Sequence, residues 1–249
     1  MLDEKMKVVD NLCIAKDTWK MTLVGRQITE EMKAGQFINL QIEGKTLRRP
    51  ISVSSFDGGM ASVTIIYKIV GEGTQKMSEM KVGEEIDVLG PLGNGFPIEK
   101  VASALLIGGG AGVAPLVQLA RDLKAVGAQV KAVIGFPTAA DVYGVSELEA
   151  LGADVVVSTD DGSKGFKGNV MEAIKDKDLT GDVVYACGPV PMLKGVEGGF
   201  DRGYISLDIR MACGMGACMA CVVKDKENPE KYYRVCKEGP VFAIGQVEL

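Results

Sequence analysis

The chain has 249 residues, 47% hydrophobic and 24% charged, a profile that suits a globular protein with room for two ordinary domains. A net charge of −5 without a basic run argues against nucleic acid as a partner. The count of zero histidines excludes Ser-His-Asp and Cys-His catalysis, His-ligated zinc, Rieske centres and His-ligated haem.

The N-terminus, MLDEKMKVVDN, lacks the apolar core of a signal peptide, so a cytoplasmic setting is expected. The most apolar stretch, VASALLIGGGAGVAPLVQLA, is broken by glycines and Pro115, whereas a membrane span needs about 20 continuous apolar residues. No membrane role is expected. In a reducing compartment the six cysteines point to metal binding rather than disulfides.

In chain order, KVVDNLCIA, TWKMTLVG, GQFINLQI, RPISVSSF, MASVTIIYKIV and EEIDVLG are short apolar or alternating runs divided by turn residues. They predict an antiparallel barrel or sandwich, with one short helix at residues 73–80. The Gly/Pro-rich GPLGNGFP, residues 90–97, marks a domain boundary. Beyond it, strands ASALLIG, AQVKAVIGF, ADVVVST and DVVYACG alternate with helices GVAPLVQLARDLKAVG, VSELEALG and NVMEAIKDK. That rhythm predicts a doubly wound parallel sheet. From about Tyr204 the alternation stops, and four of the six cysteines follow.

Those four are Cys213, Cys218, Cys221 and Cys236, spaced C-x4-C-x2-C with the last one x14 further on. This is the plant-type spacing that holds a 2Fe–2S cluster. The glycines between them permit unusual dihedrals and let backbone N–H groups approach the sulfurs. A structural zinc site with four cysteine ligands is the competing reading, although zinc ribbons usually carry two C-x2-C pairs.

IGGGAGVAPL follows a strand and opens a helix, the context of a pyrophosphate-binding turn at Gly108, Gly109, Gly110 and Gly112; a tight βα turn is the alternative. The turns at Asp161 and at Cys187-Gly188-Pro189 also follow predicted strands, where open α/β sheets bind ligands. No Arg or Lys lies between Ala132 and Asp154 to meet a 2′-phosphate, which favours NAD over NADP. RRPISVSS on its strand could be an ordinary edge strand. Gly73 and Thr74 could be a plain helix cap.

Taken together, RRPISV, the glycine loop and the α/β domain resemble the ferredoxin–NADP reductase superfamily. The further segments DVLGPLGNGF, DDGSKGFKG, YISLDIRMACGMGACMACVVK and VCKEGPVF resemble the electron-transfer subunits of bacterial type B dihydroorotate dehydrogenases. The resemblance implies a β + α/β fold: an FAD-binding antiparallel barrel over 1–97, an NAD-binding doubly wound domain over 98–203 and a 2Fe–2S subdomain over 204–249. By it, Arg49 pairs with the flavin diphosphate, and Pro50, Ile51 and Ser52 line the isoalloxazine. Ile66, Tyr67 and Lys68 form a second flavin stretch, Gly73 and Thr74 meet the diphosphate, and the Cys187 turn lies beside the nicotinamide. It also implies a function: electrons pass between NAD(H), FAD and the cluster to FMN in a separate catalytic subunit, in a heterotetramer. The nearest rivals are the small subunit of a flavin-based NADH–ferredoxin transhydrogenase and a non-catalytic iron–sulfur carrier.

Overall fold

The structure, a computed structural model, describes residues 1–249. Runs of alternating apolar residues need a covered face on one side only, and six of them close on themselves. β1 (Leu2–Ala15), β2 (Thr18–Val24), β3 (Phe37–Leu40), β4 (Arg49–Asp57), β5 (Ser62–Lys68) and β6 (Glu85–Leu92) form a closed barrel in the order β1-β2-β5-β4-β3-β6. All its pairings are antiparallel. Met6, Met21, Ile38, Leu40, Val53 and Ile65 fill the interior. Helix α1 (Arg26–Glu30) has no counterpart among the sequence expectations. The Glu4 carboxylate accepts from the N–H groups of Gln27 and Ile28 at its start, so its cap comes from a strand far away in the chain. Helix α2 (Glu72–Glu79) stands where a helix over 73–80 is predicted.

The second sheet runs β7 (Ser103–Gly109), β8 (Gln129–Phe136), β9 (Asp154–Thr159), β10 (Phe166–Lys167), β11 (Val183–Gly188) and β12 (Gly203–Leu207), all parallel. Helices α3 (Leu116–Ala125), α4 (Val145–Ala150), α5 (Val170–Asp176) and α6 (Val190–Gly199) connect its strands. The tail adds a hairpin of β13 (Val222–Lys224) and β14 (Tyr232–Arg234), then β15 (Val241–Ala243), which joins the sheet antiparallel to β12. The order is β10-β9-β8-β7-β11-β12-β15. β7 is buried along nearly its whole length. Leu106 faces one apolar layer, with Leu119, Leu123 and Ile134, while Leu105 and Ile107 face the other. No helix is long and apolar enough to cross a membrane.

Two departures from the sequence reading share one cause. α6 contains Gly195, Gly198 and Gly199, weak helix formers that hide it, and β12 therefore loses its βαβ context. The alternation continues through β12, so a division at residues 203/204 falls inside a strand of the parallel sheet. β15 then returns to that sheet, and Val235 and Phe242 pack in the same apolar layer as Leu105 and Ile107. The cysteine segment is thus built onto the nucleotide-type sheet.

The barrel and sheet are joined by specific polar contacts. Buried Gln118 on α3 accepts from the Phe56 N–H at 3.1 Å, and the Lys16 N–H donates to the Ala140 carbonyl at 2.9 Å. Within the sheet, the glycine loop packs against β11 so tightly that a Cβ at Gly112 would overlap the Cys187 carbonyl. Backbone on both sides leaves no room to yield. Gly112→Ala is expected to cost about 1–3 kcal/mol of stability, an overpacking penalty. Thermal denaturation should show a lowered midpoint, and an unchanged midpoint would mean that the loop relaxes freely.

Candidate functional site

On β4, Ile51 and Val53 turn toward the barrel core, so Pro50 and Ser52 fall on the outer face. Across the ladder they lie opposite Asn39 and Phe37 of β3. Arg49 reaches the start of α2, where a Cβ on Gly73 would overlap the Arg49 guanidinium. The cap residue Gly71 gives α2 no side-chain partner. A guanidinium beside the positive end of a helix is unfavourable alone and becomes favourable around an anion. That pairing fits a diphosphate. The Thr74 hydroxyl donates to the Gly71 carbonyl at 3.1 Å and accepts from the Val70 N–H at 2.9 Å. Its hydroxyl proton is therefore spent within the chain, and what it can donate to a ligand is its backbone N–H.

Ile66, Tyr67 and Lys68 share a small cleft with Gly110, Ala111, Pro137, Asp141 and Tyr143 of the nucleotide side. Only Ile66 packs its side chain into the layer of the parallel sheet. Tyr67 belongs to the barrel interior, its hydroxyl donating to Asn11 at 3.1 Å, and burial raises its pKa so that it stays neutral. Lys68 pairs with Asp141 at 3.1 Å and so closes one side of the cleft. The Thr138 hydroxyl, donating at 2.8 Å, and the Lys68 ammonium hold the Asp141 carboxyl below its ordinary range.

The glycines and the Cys187 turn come together, because β7 and β11 are neighbours with Gly108 opposite Cys187. Gly108 and Gly109 end β7, and a 3-10 turn over Gly110–Val113 precedes α3, so the loop does not run straight into the helix. A Cβ on Gly109 would come within 2.9 Å of Pro189, and one on Gly188 within 3.1 Å of Gly109. Gly110 adopts φ +53 with open space where a Cβ would stand, and Tyr143 donates to its carbonyl at 2.9 Å. Burial, then the nearby Asp208 carboxylate, push the Cys187 thiol up to about 12, which removes it as a nucleophile. Asp161 stands apart, at the end of β9, two strands from β7. Its carboxylate accepts from the Ser163 N–H at 2.9 Å, and Ser163 in turn accepts from the Ala139 N–H.

The four cysteines stand as two pairs. Burial raises the Cys213 thiol, but N–H donors from Met215, Cys218 and Ala217 and the Cys218 side chain outweigh it and bring it down to about 6. The Met215 and Ala217 donors lie 3.5 and 3.3 Å from its sulfur. Cys221 and Cys236 form the other pair, with the Cys236 N–H 3.4 Å from the Cys221 sulfur. Burial and the neighbouring Cys221 push the Cys236 thiol up to about 12. Two thiol pairs with N–H groups aimed at sulfur suit a binuclear cluster, whose two irons take two thiolates each, better than one tetrahedral zinc.

Arg234, not singled out by the sequence, braces this arrangement. It donates to the Gly216 carbonyl at 2.7 Å and pairs with Glu238, linking the loop of Cys213 to the turn of Cys236. Asn39 and Asn94 also escape the sequence reading. The Asn39 amide donates to the Cys213 carbonyl at 3.0 Å, and the Asn94 amide donates to the Glu238 carbonyl at 2.8 Å. Asn39 has one local sign, a polar residue in the apolar strand FINL. Asn94 and Arg234 have none.

Three families match along the chain: an oxidoreductase FAD-binding domain over 5–96, an oxidoreductase NAD-binding domain over 106–198, and the iron–sulfur cluster binding domain of dihydroorotate dehydrogenase B over 208–248. The electron transfer subunit of dihydroorotate dehydrogenase B (NAD(+)) from Fusobacterium nucleatum is 46% identical, with 99% of this chain and 98% of that one covered. The subunit from Streptococcus thermophilus is also 46% identical, with 99% of each covered. The chain belongs to this family of electron transfer subunits. It carries an FAD-binding, an NAD-binding and an iron–sulfur domain, and as an electron transfer subunit it works with a catalytic partner. Among solved structures, a chain of an NADH-dependent reduced ferredoxin-NADP oxidoreductase, described in the context of flavin-based electron bifurcation, superposes with TM-score 0.88. It is 30% identical, over 98% of this chain and 89% of that one. An Amycolatopsis cytochrome P450 reductase gives TM-score 0.69 at 26% identity, over 79% of this chain and 65% of that one.

The Asp141 carboxyl, held low by the Thr138 hydroxyl and then by Lys68, makes an acid-stability prediction for this subunit. A carboxyl whose folded pKa is depressed adds stability above its unfolded value of about 3.9, and that stability is lost as pH falls through the folded value. Denaturant unfolding against pH should therefore steepen below about pH 4 in the wild type, and Asp141→Asn should flatten that part of the profile. Superimposable profiles would remove Asp141 from the acid transition.

Proposed function

We propose that this chain carries electrons between NAD(H) and the FMN of a separate dihydroorotate dehydrogenase subunit, by way of FAD and a 2Fe–2S cluster. The setting is a cytoplasmic heterotetramer in pyrimidine biosynthesis. The single observation that carries this reading is the docking of the cysteine loop on the outer face of the barrel, beside the strand of Arg49 to Ser52. When bound, FAD takes two electrons together from NADH and gives them up singly, and the cluster takes one at a time.

In this reading Arg49 and the N–H groups of Gly73 and Thr74 grip the flavin diphosphate. Pro50 and Ser52 offer the outer face of β4 to the isoalloxazine. Ile51 supports them from the barrel side, and Ile66 closes the cleft. Tyr67 contributes through its backbone, and Lys68 holds the barrel to the nucleotide side. Gly108, Gly109, Gly110 and Gly112, with Cys187, Gly188 and Pro189, keep backbone thin where the nicotinamide nucleotide lies, and the Asp161 turn borders it. Cys213, Cys218, Cys221 and Cys236 would hold the cluster through their thiolates. None of these groups acts as a catalytic acid or base. The dihydroorotate chemistry belongs to the partner. A second reading, the small subunit of a flavin-based NADH–ferredoxin transhydrogenase, draws on the likeness to the NADH-dependent reduced ferredoxin-NADP oxidoreductase chain.

Co-purification from the native host distinguishes these readings. An FMN-containing dihydroorotate dehydrogenase subunit should elute with this chain in equal amount, and a ferredoxin-dependent partner would favour the second reading. Two substitutions test the sites. Arg49→Ala should weaken FAD binding by about tenfold or more, the loss of a charge-assisted hydrogen bond, measured as bound flavin after dialysis. Retained flavin would remove Arg49 from the site. Cys218→Ser should abolish the visible cluster bands and bound iron while FAD remains. Stoichiometric zinc in the wild type, without acid-labile sulfide, would overturn the cluster assignment.

A further inference from the structure

Asn39 sits at the only place where the strand pair β3–β4 meets a ligand cysteine of the loop through a side-chain hydrogen bond. It is 1% exposed. Its Nδ2 donates to the Cys213 carbonyl at 3.0 Å, and across the ladder it faces Pro50. Gly214, at φ +68, makes the approach possible, since a Cβ there would stand 2.6 Å from the Asn39 Nδ2. On the opposite side of the same loop region, the Asn94 N–H and amide donate to the Gly239 and Glu238 carbonyls at 2.6 and 2.8 Å. The turn after Cys236 is therefore clamped to the barrel as well.

A second observation concerns the other end of the same amide. The Asn39 Oδ1 is buried and has no hydrogen-bond partner within the chain. Leaving a buried acceptor unpaired is costly, and an apolar residue of the same size would avoid that cost. For packing alone, leucine would serve better in this strand. Keeping an amide here makes sense if it holds the cysteine loop in register with the flavin strand and keeps an acceptor free for a donor that a bound group brings.

We propose that Asn39 is a positioning residue for electron transfer between FAD and the cluster, fixing the Cys213 end of the cluster loop against the flavin-bearing face of the barrel. This rests on the cofactor assignment above. In that geometry one electron leaves the reduced flavin and enters the oxidised cluster, with no bond made or broken in the loop. The amide sets how closely and how uniformly the two cofactors are held.

The test uses the full chain with FAD and cluster loaded, in wild type, Asn39→Asp and Asn39→Leu. Iron, acid-labile sulfide and flavin contents come first. A wild type lacking either cofactor would defeat the underlying cofactor assignment rather than the role of Asn39. With cofactors present, Asn39→Asp should keep the wild-type transfer rate and the wild-type midpoint potential in an EPR-monitored titration, because burial keeps its carboxyl protonated and able to donate to the Cys213 carbonyl. Asn39→Leu should slow transfer from NADH-reduced flavin to the cluster about fivefold or more in rapid mixing, matching the loss of one ordinary hydrogen bond. Loaded Asn39→Leu with wild-type transfer rate, or loaded Asn39→Asp as slow as Asn39→Leu, would overturn the proposal. So would failure of both variants to accumulate with FAD bound, since Asn39 would then serve folding alone.

Discussion

The arrangement depends on one set of contacts: hydrogen bonds from Asn39 on β3 and Asn94 just after β6 to the carbonyls of Cys213, Glu238 and Gly239. Asn39 reaches Cys213, and Asn94 reaches the turn after Cys236. Electron transfer falls steeply with separation, so a cluster on a freely moving tail would exchange electrons poorly with a flavin on a barrel. Here the tail is tied down at several points. β15 pins its far end to β12 of the parallel sheet, the asparagines pin its loops to the barrel, and Arg234 ties one loop to the other. The three parts of the chain thus meet around one region.

The nucleotide side follows from the same economy of space. Gly112 lies against the Cys187 carbonyl, and Gly109 lies against Pro189, so two adjacent parallel strands end in backbone with almost no side chain between them. That leaves the turn after β7 facing the barrel cleft bordered by Ile66 and Lys68. Open α/β sheets take ligands at the carboxyl ends of their strands. The cleft puts such a ligand next to the end of β5. Burial keeps Tyr67 and Cys187 protonated, consistent with a site that orients cofactors and leaves the chemistry to them.

Much of this was legible in the chain. The six barrel strands, four sheet strands and three connecting helices announce themselves by period, and the cysteine spacing names its cluster type. That Arg49 and the start of α2 meet was implied only by the family resemblance, and the structure sets the guanidinium against Gly73. What was hidden had no local signature. α1 is capped by Glu4 from another strand, α6 is diluted by three glycines, and β12 lost its context with it. Tyr67 was expected at the flavin, yet strand parity turns its ring into the barrel. Asn39, Asn94 and Arg234 act through partners 174, 144 and 18 residues away, and no window of sequence contains such pairs.

The central claim is that electrons from NADH pass through a barrel-bound FAD into a cluster docked beside it. Anaerobic addition of NADH to the isolated, fully loaded chain tests this most directly, with flavin absorbance and the EPR signal of the reduced cluster followed together. The account predicts that the cluster signal grows as the flavin is reduced, without any partner subunit present. A flavin fully bleached by excess NADH beside a cluster that stays oxidised and EPR-silent would contradict it.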